Sequence, residues 1–417
     1  MINDIRNAPK ESLSLQDAIN DMMQLEHVMG KELQYDPYHI EVIKGTLTRH
    51  ISTQLPDIHA EILEALAAEL PEETEWKEVH AFRAIRKIVC RATNRAFVGA
   101  PLCHNPEYMD LNIKFAINVF LTAVIMNLIP GFMGFLKVAV AKWLSPSSRT
   151  INQAVKHLRP IIQERLDKER EYNGEWPGKP DDFLTWLMSE AQGNQLTIEN
   201  LTLRILSVNF ATIHTTSIVL VNCLYALAAH TEYIQPLREE VKGLVEEYGW
   251  TKTAISKMWK LDSFMKEAER TNGGSAVSMH RKALKEFTFS NGTSVPAGTI
   301  LAVAVNAVHH DDAIYPNANN FNGYRFSSIR EQQGESIKHQ MSTPDLSWLL
   351  FGHGHHSCPG RFFAVNVLKL ILASLILKYD IKFEREGEVP PNEWLSVNNM
   401  PNTSAKVLVR KVTLKGV

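Results

Sequence analysis

Cysteine is scarce in this sequence: 417 residues hold four, Cys90, Cys103, Cys223 and Cys358, and none forms a CxxC pair. A chain of this length with so few cysteines has no disulfide framework, which implies a reducing compartment. Charge of one sign is lacking too. Lys plus Arg number 44 against 46 Asp plus Glu, a net charge of −2, so the basic field that nucleic acid requires is missing and no nucleic-acid partner is expected. There is no repeat, low-complexity tract or long Gly/Ser linker, which leaves one continuous domain over 1–417 as the simplest organisation. The opening residues MINDIRNAPKESLSL contain no apolar run that could serve as a signal peptide or anchor. The uncharged apolar stretch from Phe115 to Ile129 ends at Pro130 and is too short for a bilayer core of about 30 Å. A core helix is expected there. The following GFMGFLKVAVAKWL (131–144) mixes aromatics with two lysines, and peripheral membrane contact is the alternative for that surface.

What is present is an ordinary globule's composition, 45% hydrophobic and 22% charged. From Ser14 to about Lys285 apolar residues recur at helical spacing, as in AFRAIRKIVCRATNRAF and INQAVKHLRPIIQERLDKERE. The longest such segment follows Thr197, a suitable N-cap, and runs through IENLTLRILSVNFATIHTTSIVLVNCLYALAAH; roughly 32 residues would span about 48 Å. The period then changes. Phe287 and Phe289 alternate ahead of an Asn291-Gly292 turn and a β-branched run, which predicts a hairpin. An irregular stretch from about Ala307 to Leu350 precedes a final helix, RFFAVNVLKLILASLILKY. The fold class is therefore mainly α with a small β part.

The chemistry concentrates in FGHGHHSCPGRFFA. Cys358 stands just before a helix, where free amides and the helix dipole favour a thiolate. Gly352, Gly354 and Gly360 allow tight turns or the close approach of a flat partner. A buried inert cysteine is the ordinary alternative. A zinc site built from His353, His355, His356 and Cys358 would take four tetrahedral ligands from six consecutive residues, which strains the backbone. The run His309 to Asp312 is expected to be a solvated turn.

Phe351, Gly354, Cys358 and Gly360 together resemble the haem-binding signature of the cytochrome P450 family, FxxGxxxCxG. Its second mark, ExxR, is met by Glu267 and Arg270 in KEAER, and its third by Arg325 in FNGYRF. Read from the residues alone, Glu267 and Arg270 lie one helical turn apart and can pair, with Arg325 adding a fork. The segment ATIHTTS (211–217) is similar to the family's oxygen-activating AGxDTT, with Thr215 as the matching threonine, Thr216 beside it, Thr212 in place of the glycine and His214 in place of the acid. A mid-helix threonine can equally bond back to the carbonyl four residues earlier, and a histidine can still relay protons.

The resemblance implies a P450-like fold carrying haem b (iron protoporphyrin IX) on Cys358, and a monooxygenase that hydroxylates an apolar small molecule with O2. It implies that His356 and Arg281, in SMHRKAL, hold the propionates, with Arg49 and Lys44 as weaker candidates. Substrate contacts are expected from Phe210, Ala211, Ala276, Val277, Ser278 and Met400, and a basic patch including Lys369 is expected to receive NADPH-cytochrome P450 reductase. The helix motif, GWTK and KLDSFMKEAER are similar to filamentous-fungal members acting on terpenoids or other secondary metabolites. Such members sit on the cytoplasmic side of the endoplasmic reticulum membrane. This chain is expected to start after the anchor and first strands, as a shortened and soluble form. Two other functions fit the same marks: a haem-thiolate isomerase or dehydratase that needs no reductase, and a truncated non-catalytic paralogue.

Overall fold

Thr197 ends an extended stretch and its hydroxyl accepts from the amide of Asn200, so a helix starts at Ile198 and continues unbroken to Ala229. The computed structural model describes residues 1–130, 133, 136, 139, 147–385 and 387–412. In chain order its principal helices are α1 (Ile2–Asn7), α2 (Leu15–Met23), α3 (Thr48–Glu69), α4 (Ala81–Val98), α5 (Pro106–Leu128), α6 (Ser147–Glu171), α7 (Phe183–Glu190), α8 (Ile198–Ala229), α9 (Ile234–Tyr248), α10 (Trp259–Asn272) and α11 (Arg361–Lys378). The strands are short: β1 (Leu13–Ser14), β2 (Lys77–His80), β3 (Ser278–Ala283), β4 (Phe287–Thr288), β5 (Ser294–Val295), β6 (Ile300–Val303), β7 (Tyr379–Lys382), β8 (Glu393–Leu395), β9 (Asn398–Met400) and β10 (Lys406–Lys411).

Helix α8 is the axis of the molecule. It packs on α4, α5, α6, α10 and α11, with Leu201, Ile205, Leu220, Leu224 and Leu227 buried. Helix α3 contains Pro56, whose missing amide costs about 3 kcal/mol inside a helix. Burial of Ile51, Leu55, Ile58 and Ile62 outweighs it, at about 1.5–3 kcal/mol for each side chain. Two three-stranded sheets flank the helices, ordered β1-β3-β6 and β2-β10-β7. Two hairpins, β4-β5 and β8-β9, complete the small β part. The predicted hairpin is the first of these, with Gly292 in the left-handed region at the turn.

Differences from the sequence reading are local. The helix over Phe115–Ile129 is longer than its apolar run, because Asn105 caps it and Pro106 starts it. Its inner side, including Phe115, Val119 and Met126, is buried, while Leu121, Val124, Ile125 and Leu128 are exposed. Helices α5 and α8 are both long and apolar enough to cross a membrane, although half and two thirds of their most apolar windows are buried. The segment 131–144 lies almost wholly outside the described residues. His309 is not solvated: it is buried and stacks on Trp348 at 5.2 Å, and burial beside Arg270 pushes its pKa down to about 3. Asp311 and Asp312 do form the exposed turn, accepting from the amides of Ala313 and Ala318.

Candidate functional site

Two carboxylates and several arginines fix the frame around Cys358. On α10, Arg270 grips Glu267 with both Nε and Nη2 at 2.8 Å, and its Nη1 donates to the carbonyl of His309 at 2.5 Å. Arg325 joins from the far loop, its Nε 3.1 Å from both Glu267 oxygens, while its Nη1 and Nη2 donate to the carbonyls of Pro316 and Asn320. The amide of Asn322 completes the set. Glu267 and Arg270 are fully buried, so the trio is a desolvated network and not the exposed helix pair that spacing alone would allow. It anchors an irregular stretch that has little regular structure of its own. A second buried node lies one turn back, where Asp262 pairs with Lys369 at 2.7 Å and with Arg330 at 3.5 Å. Lys369 is thus an interior ion-pair partner, which removes it from the expected reductase-facing patch.

The cysteine loop closes on itself: the amide of Cys358 donates to the carbonyl of Phe351 at 2.7 Å, and Arg361 donates to the carbonyl of Cys358. The amides of Gly360 and Arg361 favour the thiolate, as a helix start should, but burial opposes them more strongly and the net pKa is raised. The amides alone do not suffice, and a positive centre at the sulfur would be needed to compensate its charge. Gly354, at φ +75°, has no room for a Cβ, which would sit 2.7 Å from the Arg6 side chain of α1. Gly360 differs. Its backbone is ordinary, at φ −88°, and a Cβ would meet nothing closer than Ile43 at 3.8 Å, so nothing within the protein requires a glycine there. The imidazoles of the segment do not gather around the sulfur. His353 accepts from the Gly354 amide and faces Arg6, and no metal cluster forms from these residues among those described.

Beside the loop lies uncompensated positive charge. Arg281 on β3 is 2% exposed, yet among the described residues it donates only to the carbonyl of His280 and has no carboxylate partner. Burial and the charges of Arg281, Lys10, His355 and Lys44 push the His356 pKa down to about 4. A buried guanidinium with no acid is costly unless an anion arrives. Lys10 could not be singled out from the sequence, because it lies in no motif. Arg49 instead donates to Thr46 at the surface.

Along α8 a stripe opens in an otherwise buried helix: Ser207, Phe210, Ala211, Thr212, His214, Thr215 and Ile218 remain partly or fully accessible. Thr215 donates to the carbonyl of Ala211 at 2.8 Å, the back-bond available to any helical threonine. Thr216 is buried, and His214 turns toward α5, with Nε2 3.4 Å from the carbonyl of Ile113 and its pKa lowered by burial. His214 and Thr215 therefore do not share a hydrogen bond. Phe210 leans on the apolar cluster of Val28, Leu111 and Phe115. One turn beyond Thr215, Ile218 approaches Gly274, which also meets the carbonyl of Asn399. Ala276 donates to the carbonyl of Val397 at 2.7 Å. The stretch holding Ala276 and Val277 and the β8-β9 hairpin holding Met400 thus converge beside the stripe.

The arrangement suits a flat group that takes a thiolate on one face and presents carboxylates to Arg281. The family model for cytochrome P450 matches residues 41–409. The chain is 42% identical to cytochrome P450 monooxygenase 103 of Postia placenta over 99% of this chain and 82% of that one. It is 31% identical to an ent-kaurene oxidase of Gibberella intermedia, over 99% and 78%. In fold it matches retinoic acid-bound cyanobacterial CYP120A1 with a TM-score of 0.73, at 18% identity, over 99% of this chain and 87% of that one. This chain belongs to the cytochrome P450 family, and is a haem-thiolate monooxygenase with iron protoporphyrin IX as its cofactor.

Proposed function

We propose that this fungal-type P450 hydroxylates an apolar small molecule, a terpenoid or similar secondary metabolite, using O2 and electrons passed from NADPH by cytochrome P450 reductase. The observation that carries the reading is the accessible stripe of α8, where Phe210, Ala211, Thr215 and Ile218 present no charged side chain, with Ile218 beside Gly274 and the following Ala276 bonded to the β8-β9 hairpin region at Val397. Such a lining suits a hydrocarbon and offers no partner to a charged substrate. The ent-kaurene oxidase relative supports the terpenoid class.

Bound haem supplies the activation of O2 and the oxidation of an unactivated C–H bond. The residues of this chain set the conditions for it. Cys358 would hold the haem iron through its sulfur, and the amides of Gly360 and Arg361 favour negative charge there. Gly360 keeps that face free of a side chain. Arg281, with His356 and Lys10 nearby, would hold the propionates. Glu267, Arg270 and Arg325 hold the loop so that the sulfur's position is fixed before the cofactor binds. Thr215 is the residue poised to pass a proton: its hydroxyl lies on the accessible side and its lone pairs are free to accept from water while it donates to Ala211. His214 has no part in that route as it is oriented, and Thr216 is a packing residue. The exposed edge Leu121, Val124, Ile125 and Leu128 gives the chain a peripheral membrane contact, consistent with work at the cytoplasmic face of the endoplasmic reticulum.

The test is reconstitution with the reductase and a panel of terpenoid hydrocarbons. Substrate-dependent NADPH consumption with a hydroxylated product is expected. Turnover of a hydroperoxide without NADPH would replace the oxygenase reading by an isomerase or dehydratase. A chain that retains no haem would leave only the non-catalytic one.

A further inference from the structure

Away from the cysteine loop, three unlike donor atoms meet at one point. The Cys103 sulfur lies 3.4 Å from Glu61 Oε2 and 3.6 Å from His104 Nδ1, and that nitrogen lies 3.4 Å from the same carboxylate oxygen. Glu61 comes from α3, whereas Cys103 and His104 lie in the short 3-10 turn Leu102–His104 between α4 and α5. We propose that Glu61, Cys103 and His104 bind a divalent cation of the zinc class, with water as the fourth ligand. This is independent of the haem assignment.

The argument is geometric. A tetrahedral zinc with bonds of about 2.3 Å to sulfur and 2.0–2.2 Å to nitrogen and oxygen spaces its ligand atoms about 3.3–3.7 Å apart. All three separations fall in that range. A thiolate, an imidazole and a carboxylate are also the ligand types that zinc takes. The carboxylate is already oriented: Arg91 Nε holds Glu61 Oε1 at 2.5 Å and its Nη2 reaches Glu64, leaving Oε2 to face the sulfur. Partners of this kind position metal ligands. Cys103 and Glu61 are buried while His104 is 41% exposed, so the cation and its water have an entry from solvent on one side. Charge closes as well, since a thiolate and a carboxylate balance two positive charges, and the thiol proton leaves to the buffer on binding.

A nucleophile relay from the same residues is disfavoured. One imidazole nitrogen faces both the sulfur and the carboxylate, where a relay needs both nitrogens. Nor does this cluster share the crowding of His353 to Cys358, because only two of its ligands are sequence neighbours.

The experiment uses the haem-loaded chain, stripped of loose metal by chelator dialysis and titrated with zinc chloride. One zinc per chain is expected, with X-ray absorption showing a single sulfur at about 2.3 Å. Cys103→Ser and His104→Asn are each expected to weaken binding more than about 100-fold, beyond the 10–100-fold of an outer partner. Zinc should raise the melting temperature of the wild type and of neither variant. Absence of stoichiometric zinc in the wild type, no sulfur in the absorption spectrum, or unchanged affinity in His104→Asn would overturn the site and leave a hydrogen-bonded cluster. His104→Asn changes an exposed side chain, so the test survives if the buried Cys103→Ser variant fails to fold.

Discussion

The network around Glu267 and the open stripe of α8 belong to the same core yet are built on opposite terms. In the first, each charged side chain has its partner: Glu267 holds two arginines and an amide, and Arg270 and Arg325 spend their remaining donors on loop carbonyls. In the second, the hydroxyls bond only to their own helix, Thr212 to Val208 and Thr215 to Ala211, and the other side chains are apolar or turned away. A frame must be over-determined if the sulfur is to stay in place. A surface for substrate and oxygen must leave its polar groups uncommitted.

The sharpest break of this contrast is Glu267→Gln, which strands two arginines in a dry interior and should cost about 3–5 kcal/mol. Denaturant melts and haem content per chain measure it, and an unchanged melt would show that the network is not structural. Next is Arg281→Leu, which removes a buried cation that has no acid partner among the described residues. Haem affinity should fall about 10–100-fold, for charge-assisted bonds worth about 1.5–3 kcal/mol, while the haem-free chain unfolds no more easily. Equal haem affinity would discard the propionate role.

Glu269 sharpens the comparison from within α10. Two residues from Glu267 and equally buried, it has among the described residues only Asn222 as a side-chain partner and one oxygen with none. Burial raises its pKa from 4.5 to about 7. A raised carboxyl pKa means that the native state binds the proton more tightly, so its contribution is full below the unfolded value and is lost as pH rises through about 7. Glu269→Gln should therefore stabilise the chain by about 1–3 kcal/mol near pH 8 and by almost nothing below about pH 4. Melts at the two pH values decide it, and a gain independent of pH would contradict the burial argument. The smallest effect on stability is expected at the stripe. Thr215→Ala should shift the melt by less than about 1 kcal/mol but lower product formed per NADPH several-fold. His214→Gln, whose ring faces Ile113, should leave that ratio near the wild type; a larger loss than Thr215→Ala would restore the histidine to the proton route.

How far the sequence was legible follows the same division. Cys358, Glu267, Arg270 and Arg325 could be read because they fall in motifs that resemble the family's, whereas their residue types and spacing alone allowed an exposed helix pair and an inert cysteine. The long helix and its cap at Thr197 were legible from periodicity. Lys10 and Asn322 were not, since their partners lie far away in sequence and their types are common in loops. The buried state of Lys369 was hidden for a similar reason: its partner Asp262 is on another helix, and a lysine on a helix reads as surface until packing is known. The Cys103-His104 adjacency was the one visible trace of the second cluster, and without Glu61 beside it the pair carried no meaning. The left-handed backbone at Gly354 was suggested by the residue, whereas the α1 contact that forbids a Cβ there was not.

The central claim is the bond between the Cys358 sulfur and haem iron, and the reduced spectrum under carbon monoxide tests it most directly. Wild-type protein should give the red-shifted band of a thiolate-ligated haem, and Cys358→His should bind haem but lose that band. A wild-type spectrum without it while haem is retained, or the same band surviving in Cys358→His, would contradict the account.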